Sequence, residues 1–344
     1  MRAVIARGDG TVDVVEAATP MLVHDTDAIV RVTTTAICGT DLGLLRQPGA
    51  LTGGTVLGHE FVGVVHAVGS AVRVLRPGAR VVASDYTACG SCWWCRTGAH
   101  WHCRERMFFG TGDAFGSALS GAQAEFVRVP FADVTLSAVP DTIGEHDAVF
   151  LGDLVPTAWA ALDRVGLRPG ETVVVCGGGP VGQIVSLVAQ AIGSGPVIVT
   201  EPDAARREVA ASLGATAVAP ADAVDAVRAL TSGRGADVVI DGVGGAHGLD
   251  AALPLVRARG RICSVGVPHA DVWEAPVRDA FVREITISFA VGDAIRDRDA
   301  YTPLVAARLL TPSAVITATA GLEDARDLYA RAGAMTELKA VIEL

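Results

Sequence analysis

The chain has 344 residues, half of them hydrophobic, and a formal net charge of −10. Nucleic acid and anionic lipid both require basic surface, so this balance argues against either as a partner, and no run of eighteen apolar residues offers a membrane span. The length favours about two domains with cores large enough to need no disulfide staples.

The N-terminal stretch MRAVIARGDGTVDVVE lacks an apolar core of signal-peptide length, so a cytoplasmic chain is expected. Up to residue 153 the sequence reads as short β-branched runs between turns: AIVRVTTTAI, FVGVVHAVG, ARVVAS and AEFVRVP. That alternation predicts a partly β-barrel-like domain over 1–153. Within it, CGSCWWCRTGAHWHC places Cys89, Cys92, Cys95 and Cys103 at spacings that let four thiolates turn onto one tetrahedral ion. A structural zinc is the reading. An iron–sulfur run is the alternative, but it normally continues with a shorter gap and a Cys-Pro, both absent. Trp93, Trp94 and Trp101 are expected to pack around this loop. His100 and His102 are expected at the surface, because four cysteines already close the shell.

From residue 154 to 290 apolar strands alternate with helical patterns, which predicts a doubly wound parallel sheet, an α/β cofactor domain. TVVVCGGGPVGQIVSLVAQAIG is a strand, a glycine turn and a helix. In it Gly177, Gly179 and Gly182 match a dinucleotide fingerprint, with Pro180 and Val181 in the first helical turn. Glycines let the backbone approach a pyrophosphate, and the helix N-terminus offers free N–H groups and a positive dipole end. The next strand ends at Glu201, where a carboxylate can accept from ribose hydroxyls and repel a 2′-phosphate, so NAD is expected over NADP. Arg206 and Arg207 on the following helix keep NADP open as the lesser option. Cys176 and Cys263, on apolar strands, read as buried packing.

The ordered motifs CGTD, GHE, the cysteine loop, GGGPVG and the closing LKAVIEL make the chain similar to the zinc-containing alcohol dehydrogenases of the medium-chain dehydrogenase/reductase family, in the secondary-alcohol branch. The resemblance implies a GroES-like catalytic domain over 1–153, a Rossmann NAD domain over 154–290, and a return to the catalytic domain over 291–344. It implies a second, catalytic zinc on Cys38, His59 and Asp153, with Glu60 approaching it intermittently. One thiolate and one carboxylate neutralise Zn²⁺, imidazole completes three ligands, and one position stays open. For Asp153 a helix N-cap is the bland alternative. Thr40 is implied to hydrogen-bond the substrate oxygen, and Thr157 with the backbone of Val265 and Val267 to line the nicotinamide. The relay histidine that many members carry is replaced by Gly43.

The function implied is hydride transfer between NAD(H) and an alcohol/carbonyl pair, with an apolar secondary alcohol or ketone favoured by family-placed pocket residues Leu44, Phe108, Phe109, Trp159 and Val291. Polyols, amino alcohols and iminium substrates are alternatives within the enzyme reading. A zinc-stabilised dinucleotide-binding protein without turnover is the alternative outside it. The expected partners are a small molecule and further copies of the chain, as a homodimer or homotetramer, without nucleic acid or membrane.

Overall fold

The computed structural model describes residues 1–268 and 272–344. The chain forms two compact units: Met1–Asp153 with Asp293–Thr302 and Ile316–Leu344, and Leu154–Gly292 with Pro303–Val315. The segment 291–344, expected as one return, is therefore shared between them. Its Pro312–Val315 turn buries Pro312 and Val315 and packs on the Pro180–Ala191 helix of the second unit.

The first unit is built on a seven-stranded, mostly antiparallel sheet. Its central strand, Ala28–Ile37, is long, β-branched and almost wholly buried. It pairs with Phe61–Val68 on one side and with Ala340–Glu343 and Phe126–Val129 on the other. The register sets which side chains meet at the strand ends. Thr35 faces Phe61 and Ile37 faces Ala340, so residues just beyond these ends converge: Cys38, the pair His59 and Glu60, and Lys339. Val30, Val32, Phe61, Val65, Val81 and Val127 fill the barrel-like core. Gly63 is required inside it, because a Cβ there would lie 2.3 Å from the carbonyl oxygen of Arg31.

The second unit carries six parallel strands in the order Thr216–Val218, Val197–Thr200, Val173–Cys176, Ala236–Asp241, Val256–Ser264, Thr286–Phe289. Numbered along the chain this is 3-2-1-4-5-6, the doubly wound arrangement whose switch point lies beside the first strand. The central strands read VVVC and VIVT and are buried on both faces, as parallel strands covered by helices must be. Cys176 and Cys263 are fully buried among them, as packing residues. Among the described residues no helix is long and apolar enough to cross a membrane.

Candidate metal centres and coenzyme turn

Cys38 caps the helix Gly39–Arg46 in extended conformation, and its N–H donates to Asp41 Oδ2 at 2.9 Å. His59 and Glu60 lead into the Phe61–Val68 strand, and Asp153 sits in the turn before the Leu154–Arg164 helix. Together Cys38, His59, Glu60 and Asp153 offer four ligand atoms within 4.8 Å of one another. Asp153 Oδ2 lies 3.8 Å from Cys38 Sγ and 3.5 Å from His59 Nε2. Asp153 Oδ2 thus points into this cluster.

Burial alone disfavours a charged His59, yet the carboxylates of Asp41 and Asp153 and the Cys38 sulfur outweigh it and hold the imidazole pKa well above its ordinary value. Burial pushes the Cys38 thiol up. The Asp153 carboxyl is held low by His59 despite its own burial. Among the described residues Glu60 Oε2 is buried without a hydrogen-bond partner. A buried anionic oxygen of that kind, beside a thiol, an imidazole and a second carboxylate, is the chemistry of a divalent cation site.

Three residues to which the sequence reading gave no role complete the surroundings. Lys339 is buried, and its Nζ donates to Glu60 Oε1 at 2.6 Å. It is the single lysine among the chain's 28 Lys and Arg residues, a signal legible in the composition. Asp41 Oδ1 stands 3.4 Å behind His59 Nδ1, within ion-pair distance but without a hydrogen bond among the described residues. Asp85 adds a carboxyl that burial and the charge of Asp153 push well above the usual range.

The cysteine loop brings all four of its sulfurs together. Cys89 and Cys95 Sγ are 3.9 Å apart and Cys92 and Cys95 3.5 Å, close to the roughly 3.8 Å edge of a tetrahedron with Zn–S bonds of about 2.3 Å. Backbone N–H groups of Cys89 and Cys92 donate to sulfur at 3.3 and 3.4 Å. Burial opposes the Cys89 thiolate, but hydrogen bonds from Ser91 and Cys92 prevail and bring its pKa down to about 6.

Expectations around the loop divide. His102 is exposed. His100 is not: it is buried, and its N–H and Nδ1 both meet the Asp293 carboxylate at 3.1 Å. Its imidazole has a carboxylate partner inside the protein, and so it leaves the surface. Trp93 is 67% exposed, and its one ring contact among the described residues is edge-on with the neighbouring Trp94 at 4.7 Å, so it stands largely outside the loop's packing. Trp101 does pack there, against Tyr86, Phe108 and the Arg106 guanidinium.

Of the pocket residues, Phe108 packs edge-on against His59 at 5.4 Å. Phe109 instead is fully buried against Phe61 in the sheet core, and Leu44 belongs to the core around Leu57 and Leu328. On their strand and helix both side chains point to the apolar interior. Thr40 is half-buried and Gly43 exposed on the Gly39–Arg46 helix, with open space where a Gly43 side chain would go. In the second unit Trp159 is half-buried and Val291 half-exposed.

The coenzyme turn follows the Val173–Cys176 strand. Gly177 adopts φ +95°, and a Cβ on Gly182 would lie 1.9 Å from Gly177 O, so only glycine fits there. Pro180 opens the Pro180–Ala191 helix, with Val181 next. Glu201 is buried. Its Oε2 accepts from Gly178 N–H at 2.7 Å and its Oε1 from Asp203 N–H at 2.9 Å. Arg207 is spent on the carbonyls of Glu201 and Pro202, whereas the Arg206 guanidinium makes no hydrogen bond or ion pair among the described residues and stands over Gly179. Gln183, unforeseen in the sequence, ties the turn by donating to Gly178 O and Arg206 O. Thr157 lies against Gly292, and Val265 N–H is bound to Asp241 O. Val267 is half-exposed. Asp241 organises a second glycine turn by accepting from Val243 N–H, Gly244 N–H and Ser264 Oγ.

Known proteins share this fold. Residues 24–141 match the family model "Alcohol dehydrogenase GroES-like domain" and residues 180–308 match "Zinc-binding dehydrogenase". A Mycobacterium tuberculosis protein named as a probable zinc-binding alcohol dehydrogenase is 34% identical over 97% of this chain and 86% of its own. The chain belongs to the zinc-containing alcohol dehydrogenases of the medium-chain dehydrogenase/reductase family. The solved alcohol dehydrogenase from Thermus sp. ATN1 is 37% identical, covers 100% of this chain and 99% of its own, and has a TM-score of 0.96. A Sinorhizobium meliloti 1021 protein described as a zinc-binding dehydrogenase, solved with NADP bound, is 29% identical, covers 100% and 99%, and has a TM-score of 0.87. As a member of this family the chain is a zinc-dependent oxidoreductase of alcohol/carbonyl pairs that uses a nicotinamide coenzyme.

Proposed function

We propose that this enzyme oxidises an apolar secondary alcohol, or reduces the matching ketone, with NAD(H), and holds two zinc ions per chain. The observation that carries the reading is the convergence of Cys38, His59, Asp153 and Glu60 beside Phe108, in addition to the separate four-cysteine loop. When bound, zinc supplies Lewis-acid polarisation of the substrate oxygen and nicotinamide supplies the hydride acceptor. The chain's own residues do the rest. Cys38, His59 and Asp153 hold the metal, Asp41 fixes the His59 ring, and the Lys339 ammonium keeps Glu60 directed away from the open position. The Thr40 hydroxyl accepts the proton of the substrate hydroxyl while donating its own onward, and with glycine at 43 the acceptor of that proton is water rather than a histidine. Thr157, Val265 and Val267 line the nicotinamide, and the Gly177–Gly182 turn takes the pyrophosphate at the helix N-terminus with Pro180 and Val181. Glu201 favours NAD by accepting from ribose hydroxyls and repelling a 2′-phosphate. Arg206 is the feature that favours NADP, and the NADP-bound relative gives that second reading its weight.

The enzyme is further proposed to act in the cytoplasm as a dimer. The outer strand Thr286–Phe289 has a sheet neighbour on one side only, and beside it Val277, Phe281, Val282 and Phe289 are each 65% or more exposed. A second copy related by a two-fold axis would pair this edge and cover these side chains.

Metal analysis after zinc-replete expression is expected to give two zinc ions per chain, and an NAD(H) screen is expected to favour apolar secondary alcohols and ketones over polyols. Asp153→Asn should lose one zinc and turnover while NADH binding persists. Full turnover in Asp153→Asn would place the third ligand elsewhere.

A further inference from the structure

At the amino ends of the strands in the second unit, opposite to the glycine turn, the strand Val256–Ser264 departs from regular pairing. Ala236 faces Val256 but Val238 faces Arg261, so the segment between bulges away from its neighbour. The bulge opens a cleft of about 310 Å³ lined by Val224, Val227, Pro254, Leu255 and Val256 together with Arg228, Arg234 and Arg283. That volume is at the lower end of the range of about 300–1,000 Å³ seen for small-molecule sites. Among the described residues three guanidinium groups line it and no carboxylate does, in a chain whose net charge is −10.

The arginines are not equivalent. Arg283 is structural: it donates to the carbonyls of Leu253 and Val256 and pairs with Asp279. Arg234 bonds through Nε to Thr231 O at 3.1 Å, its terminal nitrogens make no hydrogen bond among the described residues, and its charge also acts on Asp237, whose carboxylate is paired with Arg257. Arg228 makes no side-chain hydrogen bond or ion pair among the described residues. The loop that carries Arg234 is set in shape. Ser232 and Gly233 adopt φ of +52° and +83°, and Thr231 Oγ1 accepts from Gly235 N–H while donating to Val227 O.

Two guanidinium groups whose terminal nitrogens make no hydrogen bond among the described residues, above an apolar floor, match a ligand with a dianionic head and an apolar body. We propose that this cleft binds a small organophosphate, its phosphate on Arg228 and Arg234 and its apolar part against Val224, Pro254 and Leu255. The site is separate from the coenzyme turn. The strand Ala236–Asp241 runs from the cleft to the second glycine turn, a length of about 17 Å at about 3.3 Å per residue.

Phenyl phosphate tests the proposal, titrated by calorimetry into the full chain already saturated with NADH so that the coenzyme turn is filled. One saturable site per chain is expected, with phenol not binding and inorganic phosphate binding more weakly. The exposed pair Arg228→Gln/Arg234→Gln should weaken phenyl phosphate at least tenfold and leave NADH affinity unchanged. No saturable binding to the NADH-loaded protein, or undiminished binding by the double variant, overturns the site. Equal affinity for phosphate and phenyl phosphate overturns the apolar half of the assignment.

Discussion

Lys339 brings a positive charge into a place where burial should expel it, and the Glu60 carboxylate 2.6 Å away is what keeps it there. Burial disfavours the ammonium, yet Glu60 and Cys38 prevail and raise its pKa above the ordinary lysine value. Removing one partner of such a pair typically costs about 3–5 kcal/mol, because the other is left buried and uncompensated. Lys339→Met should therefore lower the melting temperature sharply in chelator-treated protein. With zinc restored the loss should be much smaller, since Glu60 can then turn its charge to the metal. Equal losses in both states would show that Lys339 serves packing alone. At the glycine turn Glu201 accepts from the N–H groups of Gly178 and Asp203, and in the proposed NAD reading its charge also faces the ribose. Glu201→Ala leaves Arg206 unopposed there, and the NAD:NADP ratio of kcat/KM is expected to fall by about tenfold or more, or about 1.4 kcal/mol. An unchanged ratio would remove Glu201 from coenzyme choice.

At the scale of elements, the cysteine loop is fastened to the segment that begins at Asp293. Asp293 accepts from His100 and from Arg296 N–H, and Arg296 reaches back to Gly98 O. Burial works against the Asp293 charge, but His100 outweighs it and holds the carboxyl below the usual carboxylate range. A carboxyl depressed on folding contributes stability above its unfolded pKa of about 3.9, and that contribution disappears as pH falls through the folded value. Asp293→Asn is thus expected to be less stable than the parent at pH 7 by about 1–3 kcal/mol, with the gap narrowing below about pH 4. A gap that persists into acid would assign the loss to packing. Cys103→Ser should lower stability more, because it removes one of four sulfurs from the proposed closed set, and it should leave the proposed ligands Cys38, His59 and Asp153 in place. Loss of both zincs in Cys103→Ser would show that the two centres are not independent.

For the whole molecule, assembly is the property with the clearest test. Phe281 is 81% exposed on the Val277–Val282 helix beside an unpaired strand edge. Phe281→Glu is expected to shift light-scattering mass from a dimer or a multiple of it towards the monomer, with NADH binding retained. A parent protein already monomeric at micromolar concentration would end the assembly reading.

The sequence by itself determined what short-range pattern can encode: the β-rich and doubly wound halves, the cysteine loop, the glycine fingerprint with its acid nineteen residues on, and the family. These are legible because spacing along the chain sets which side chains can meet within one turn or one strand–helix unit. Only the tertiary structure decided the rest. His100 is buried because Asp293, 193 positions away, is folded against it, and Phe109 and Leu44 turn into cores whose other members come from distant strands. Lys339 meets Glu60 across 279 positions because Ile37 pairs with Ala340 and Thr35 with Phe61. A one-residue slip in either pairing would send the side chains to the opposite face, so contacts of this kind belong to sheet register and not to any local run of residues.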